Sequence, residues 1–251
     1  MLGKRAHLLA PWKETGYAER ERRGQRGGQG VETIFRGDLE TRAGRLRAWV
    51  DALVIDHGVF RLAWSNFAPV VPGRLYRANH PTPGRLARLT RRYGLKTLIN
   101  LRGQARNGSD ALTREAARRL GLAFVDLPLE SRGVPQISRL LRLIEVYRTM
   151  AEPALIHCKS GADRAGLAAA VFLLAEGTKA DRAAAELSLR FGHVRHARTG
   201  VLDAFVASYR AAGDKPFLEW LTEDYDEASL GRHFAARRLA NFLNDRVLAR
   251  E

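Results

Sequence analysis

Apolar residues first recur at helical spacing over 39–55, where Leu46, Trp49, Val50, Leu53 and Val54 form one face and Arg42, Arg45 and Arg47 lie elsewhere around it. The pattern predicts an amphipathic, basic helix packed by its apolar face on the domain that follows, with Trp64 and Phe67 joining the cluster; the alternative is a helix lying on a membrane surface. A sheet edge begins over 73–76. Thr82 before Pro83 is a helix cap with proline at the first helical position, so a helix runs to about Tyr93 and ends at Gly94. Residues 97–101 read as a strand, 102–109 as a polar loop, 110–120 as a helix and 123–127 as a strand. Ile137, Leu140, Leu141 and Ile144 mark a helix over 135–150. After the break at Pro153, residues 154–157 have the length of a buried strand, whereas 167–175 are apolar on every side, as in a helix enclosed by a domain. Two more helices follow, one capped around 178–181 and ending near 191, the other over 201–211 with Thr199 as its cap. Strands alternating with helices make this an α/β domain.

Both ends fall outside the alternation. Residues 1–37 are rich in Arg, Glu, Gln and Gly and carry too little apolar surface to bury, so a flexible basic tail is expected ahead of a domain over 38–213. Over 214–251, Phe217, Trp220 and Tyr225 precede Leu230, Phe234, Leu239, Phe242 and Leu243 at near-helical intervals. This predicts a helical extension packed on the domain or on a second copy of the chain, with Arg232, Arg237, Arg238 and Arg246 exposed.

Charge narrows the partners. The 251-residue chain holds 42 Lys and Arg against 27 Asp and Glu, a net charge of +15, beyond what solubility requires. Anionic partners are therefore expected: phosphorylated substrates or an acidic membrane surface. The sequence carries no zinc-finger spacing, aromatic RNA-binding motif or DNA-reading signature, so nucleic acid is not expected. One cysteine excludes an intramolecular disulfide. No run approaches the roughly 20 apolar residues of a membrane span, and the apolar start at Leu8 stops at Pro11, short of a signal peptide's centre. The expected location is the cytoplasm, with peripheral contact at the inner membrane surface.

Between the strand at 154–157 and the next helix stand Cys158, Lys159, Ser160, Gly161, Ala162, Asp163 and Arg164. A chain that leaves a strand and enters a helix within so few residues turns sharply. Consecutive N–H groups in such a turn, with the first free amides of the helix, make a concave nest for a tetrahedral dianion. Ser160, Gly161, Ala162 and Asp163 would supply those amides, and Arg164 a planar fork that grips two oxygens. Amide dipoles, the helix N-terminus and Arg164 all favour a thiolate at Cys158, and the thiolate is the nucleophile. A reactive cysteine facing bound phosphate implies phosphoryl transfer to sulfur. The plainer reading of a lone cysteine, a small core hydrophobe, leaves the agreeing loop residues unexplained.

The string His157-Cys158-x-x-Gly161-x-x-Arg164-x-Gly166 resembles the signature of the cysteine-based protein tyrosine and dual-specificity phosphatases. Residues 75–83 (Leu-Tyr-Arg-Ala-Asn-His-Pro-Thr-Pro) and 98–103 (Leu-Ile-Asn-Leu-Arg-Gly) resemble the opening of its atypical dual-specificity branch, which has bacterial members, and residues 70–210 can be laid on that pattern. The resemblance implies a three-layer α/β fold with a mainly parallel, four- to five-stranded sheet flanked by helices. It further implies no metal, no cofactor and a phosphocysteine intermediate hydrolysed by water. Substrate contacts are expected from His157, Lys159, Ser160, Gly161 and Ala162, with Arg102, Arg132 and His196 or Arg195 around the mouth. Two positions depart from the family. Ala165 stands where a Ser or Thr hydroxyl commonly helps the cysteine leave, so hydrolysis of the intermediate is expected to be slow. Ser131 stands where the general acid, usually an aspartate, is expected. Glu130, one position earlier, and Asp163, inside the loop where a carboxyl group beside a dianion holds its proton more tightly, are the two candidates. Their plainer readings are a solvated loop charge and a first-turn acid. The expected function is hydrolysis of a phosphomonoester on a phosphoprotein, a phosphorylated lipid or an inositol phosphate; the rival is a phosphate-binding module without turnover.

Overall fold

The short run predicted over 154–157 becomes β5 (Ala154–His157), wholly buried and central in a five-stranded sheet, in the computed structural model, which describes residues 33–56 and 64–248. The others are β1 (Ala68–Val71), β2 (Leu75–Ala78), β3 (Thr97–Asn100) and β4 (Ala123–Asp126), in the order β1-β2-β5-β3-β4. β2, β5, β3 and β4 run parallel, and β1 lies antiparallel on β2. The edge expected over 73–76 is thus displaced by one strand: β2 is interior, with all four residues buried, and β1 is the edge. Pro69, which argues against a strand by composition, is accommodated there because an edge tolerates a residue without an N–H.

Register brings the functional end of the sheet into line. Ala78, His157, Asn100 and Asp126 stand side by side at the C-terminal ends of the parallel strands, the edge where open α/β sheets bind ligands.

Alternate residues of each strand divide the core. Leu75, Ile99 and Ile156 join one cluster, and Tyr76, Leu98 and Leu155 the other. The helices in chain order are α1 (Arg42–Val50), α2 (Pro83–Tyr93), α3 (Gly108–Arg119), α4 (Ile137–Thr149), α5 (Asp163–Ala175), α6 (Ala180–Ala184), α7 (Val201–Ala211), α8 (Phe217–Glu223) and α9 (Glu227–Leu248). Helices α4, α5, α7 and α8 cover the first face, and α2 and α3 the second. α5 is buried continuously from Ala165 to Leu174, matching its lack of a polar face. None of the described helices is long and apolar enough to cross a membrane.

The largest departure from expectation is α1. It starts at Arg42, its last turn widens over Asp51–Ile55, and the buried positions are Gly44, Ala48, Asp51 and Ala52. Three of the five residues of the expected apolar face look outward, with Leu46 66% exposed, Val54 60% and Val50 39%, while Trp49 packs partly buried beside Ala48 and Leu53 is half-buried. Close approach decides this: a side chain on Gly108 of α3 would collide with the Ala48 carbonyl, so only the face of small residues fits there. Arg45 fastens the contact through a two-point bond to Glu115 (2.7 and 2.9 Å), while Asp51 accepts from the Gly108 N–H at 2.7 Å and the Ile34 N–H at 3.0 Å. The basic tail expected over 1–37 lies outside the described residues as far as 32; its end is seated on the domain, with Phe35 buried beside Ala48 and Leu112.

Smaller differences follow from caps. α6 is one short turn, followed by a bend and a tight turn over Leu189–Phe191 rather than a helix reaching 191. Thr199 bonds back to the Val194 carbonyl (2.9 Å) instead of capping α7. In the C-terminal segment Phe217, Trp220 and Tyr225 stack around Phe205, the Tyr225 hydroxyl donates to the Pro135 carbonyl at 2.7 Å, and Leu230 and Phe234 pack partly buried on the core. Arg232 and Arg237 are exposed; Arg238, Leu239, Phe242, Leu243 and Arg246 lie beyond the described side chains.

Candidate active site

Cys158 leaves β5 at the C-terminal edge, 2% exposed, and the chain reaches the first residue of α5 five positions later. Gly161 at the turn has φ +76°, and a Cβ there would lie 2.6 Å from the Asn79 nitrogen, so both conformation and the closeness of β2's end demand glycine.

Four successive carbonyls of the loop are held from outside. His80 N–H reaches Lys159 O (3.3 Å), Asn66 Nδ2 reaches Ser160 O (3.0 Å), and Arg77 Nη2 reaches Gly161 O (2.7 Å) and Ala162 O (3.1 Å). In a planar trans peptide the N–H points opposite to the preceding C=O. The amides of Ser160, Gly161, Ala162 and Asp163 therefore face the enclosed side, as the nest requires. The Gly161 N–H points at Cys158 Sγ (3.2 Å), and the Ala162 N–H also reaches Ser160 Oγ at 3.3 Å. No side chain caps α5, unlike α1, α2 and α3, which Thr41, Thr82 and Asn107 cap. Its first amides are left for an anion.

Arg77, which sequence reading passed over, is fully buried in β2. Its Nη1 bonds the backbone and carboxylate of Glu186 (2.7 and 2.8 Å), and the guanidinium lies 3.8 Å over the Phe191 ring. Burial draws its pKa below the ordinary value, and Glu186 opposes that. A charged residue inside an otherwise apolar strand was the available signal. Asn66, at φ +50° and bonded also to Phe191 O at 2.8 Å, gave none.

Arg164 is half-buried and has no hydrogen-bond or ion-pair partner among the described residues. A cation so placed beside an open nest is available to a dianion. His157 is fully buried, edge-on to His80 (4.8 Å), and burial, together with the positive charges of Arg102 and Arg164, pushes it down to about 3. It is a neutral imidazole at the loop's base. Ala165 is fully buried.

The two candidate acids sit in different settings. Asp163 Oδ1 accepts from Nδ1 of His193 at 2.8 Å, and Asp203 Oδ2 accepts from Nε2 of the same ring at 2.6 Å. Glu130 pairs with Arg139 at 2.8 Å, and burial raises its pKa against the pull of that arginine.

The expected cations around the mouth are divided. Arg102 is bound at two points by Asp56 (2.9 and 3.0 Å) and touches His80 Nδ1 (3.2 Å), and Lys159 lies 3.3 Å from the same Asp56. Asp56 was not foreseen, because nothing in its neighbourhood of sequence links it to the loop. Arg132 and His196 are exposed. In the basic stretch over 193–198 it is His193, not His196, that reaches the loop, while Arg195 bonds Asp203 at 3.2 Å.

Comparison with known proteins adds the family. Residues 64–204, more than half of the chain, match the family described as PTP-SAK, Swiss Army Knife protein, DSP-PTPase phosphatase domain. No curated protein matches the chain significantly. Among solved structures it is similar to TpbA of P. aeruginosa, with 23% identity over 61% of this chain and 98% of that one at a TM-score of 0.46. It is also similar to the core catalytic domain of the PP-IP phosphatase SIW14 of S. cerevisiae, with 20% identity over 56% and 85% of the two chains and a TM-score of 0.48. The loop around Cys158 thus lies within a matched phosphatase domain, and the chain belongs to the PTP-SAK dual-specificity and tyrosine phosphatase family as a cysteine-dependent phosphatase.

Proposed function

We propose that the chain hydrolyses phosphomonoesters through a phosphocysteine intermediate, with Cys158 as nucleophile, Arg164 and the loop amides as the phosphate clamp, and Asp163 as the proton donor. The observation that carries this reading is the anchoring of four consecutive loop carbonyls by His80, Asn66 and Arg77, which turns their partner amides away from those anchors, the Gly161 N–H onto the Cys158 sulfur. Preorganised donors of this kind stabilise charge on the equatorial oxygens as the transition state forms. Cys158 sulfur bonds to phosphorus as the ester P–O bond breaks, and the departing oxygen takes a proton from the Asp163 carboxyl. Water then bonds to phosphorus, the S–P bond breaks, and a water proton returns to the Asp163 carboxylate. Asp163 is favoured over Glu130 because it follows the loop directly, as the first residue of α5.

The substrate is a phosphoprotein, a phosphorylated lipid or an inositol phosphate. Exposed Leu46, Val50 and Val54, on the same segment as the exposed Arg42 and Arg47, support encounter with it at an anionic lipid surface. Turnover of an aryl phosphate tests the reading. Cys158→Ser is expected to abolish turnover while leaving vanadate binding within about tenfold, because the nest keeps its shape and loses its thiolate; residual turnover in that variant would remove the mechanism.

Ala165 favours a second reading, a phosphate-binding module whose intermediate is not discharged. Rapid-quench kinetics separates the two. Slow but real turnover gives a burst of aryl alcohol near one equivalent followed by a measurable steady state that Ala165→Thr speeds, whereas an undischarged module gives the burst with no steady state after it.

A further inference from the structure

His193 has both ring nitrogens committed to carboxylates, Asp163 Oδ1 at 2.8 Å and Asp203 Oδ2 at 2.6 Å, and its side chain is 1% exposed. The two acids stand in the first turns of α5 and α7, so one ring joins the loop's helix to a helix in another part of the chain. Acceptors on both sides require both nitrogens to donate, which makes the ring an imidazolium. Burial opposes that charge, but the bonds to Asp163 and Asp203 and their negative charges outweigh it and push His193 up to about 9. Behind it, Arg195 Nε bonds Asp203 Oδ1 at 3.2 Å and fixes the second carboxylate. On Asp163 only Oδ1 is engaged, and Oδ2 has no partner among the described residues.

We propose that His193, backed by Asp203, is a positioning residue for phosphoryl transfer: it holds Asp163 by Oδ1 so that Oδ2 faces the leaving-group oxygen, and its positive charge stabilises the carboxylate left behind. The inference rests on Asp163 being the proton donor. As the P–O bond breaks, the proton on Oδ2 passes to the departing oxygen and the negative charge left on Asp163 meets a cation already in place. In the second step a water proton returns to Oδ2. His193 keeps both of its protons throughout, so no further donor is required.

A purely structural clamp between α5 and α7 would lower activity on all substrates alike. A positioned acid matters most where the leaving group is poor. The test is kcat/KM of the full chain on p-nitrophenyl phosphate and on phenyl phosphate, for wild type, Asp163→Asn, His193→Gln and Asp203→Asn. The expected result is that each variant loses at least about tenfold more on phenyl phosphate than on p-nitrophenyl phosphate, and that Asp163→Asn combined with His193→Gln is no worse than Asp163→Asn alone. If Asp163→Asn shows this selective loss while His193→Gln and Asp203→Asn fall equally on both substrates, the proposal is overturned and the acid assignment stands. If Asp163→Asn itself is unselective, the acid assignment fails and the proposal with it. Should His193→Gln not fold, Asp203→Asn, which leaves the ring and its bond to Asp163 in place, decides alone: an unselective loss there overturns the proposal.

Discussion

Arg77 illustrates how much a single residue can govern without touching substrate. It is a buried cation whose four bonds end on Glu186 and on two loop carbonyls, so replacing it by Met leaves the buried Glu186 with the half-exposed Arg182 (2.9 Å) in place of its buried partner and frees the turn that aims the amides. The expected cost is roughly 3–5 kcal/mol of stability, read as a fall in the urea midpoint, together with loss of vanadate binding. A variant that also removes the acid, Arg77→Met with Glu186→Leu, should recover much of the stability but not the binding, because the loop carbonyls remain unheld. Recovery of both would show that Arg77 matters only as a charge partner. Gly161, Cys158 and Arg164 were legible in the sequence as candidates because the proposed chemistry is tied to fixed spacing. Asn66, Arg77 and His193 were not, since each reaches the loop from a distant segment.

Among the elements, α1 inverts the usual inference from an apolar stripe. Its contact with α3 is set by Ala48 against Gly108, and Leu46, Val50 and Val54 lie outside. Substituting the exposed Leu46 by Ser is therefore expected to change stability by no more than about 0.5 kcal/mol, whereas Ala48→Leu, a change toward greater hydrophobicity, should cost about 1–3 kcal/mol by overpacking. Thermal unfolding of the two variants checks this. The reverse order would restore the sequence-based orientation. The strands and helices of the sheet region were legible because caps and breakers mark them, as at Thr82-Pro83 and Gly94; β1 was hidden by Pro69.

At the scale of the molecule, two buried histidines give stability opposite dependences on pH. His193 is raised from 6.5 to about 9, so its contribution is complete below pH 6.5 and is lost as pH rises through about 9. His157 is lowered from 6.5 to about 3, so its contribution is complete above pH 6.5 and is lost as pH falls toward 3. These two groups together place the optimum near pH 6.5. Unfolding free energies from urea titrations between pH 4 and 10 should fall on both sides, the alkaline arm by up to about 3 kcal/mol, and His193→Gln should flatten that arm alone. The net charge of +15 leads to a separate expectation. The protein should sediment with vesicles containing anionic lipid at low salt and be released near 1 M, where screening confines exposed charges to about 3 Å. Indifference to such vesicles would leave a small polyanion as the target of the basic surface.

The sequence by itself determined the α/β alternation, the sharp turn after β5 and the choice of Cys158 and Arg164 as candidate residues, because these depend on local periodicity and on residues a few positions apart. Only the tertiary structure decided which carbonyls of the loop are held, that Asp56 pairs with Arg102 and Lys159, that His193 joins Asp163 to Asp203, and which face of α1 is inside. Those outcomes depend on how closely two backbones approach and on which distant charges meet out of water. A linear pattern of apolar and polar positions encodes neither, because the energy of such contacts arises only when the partners are brought together.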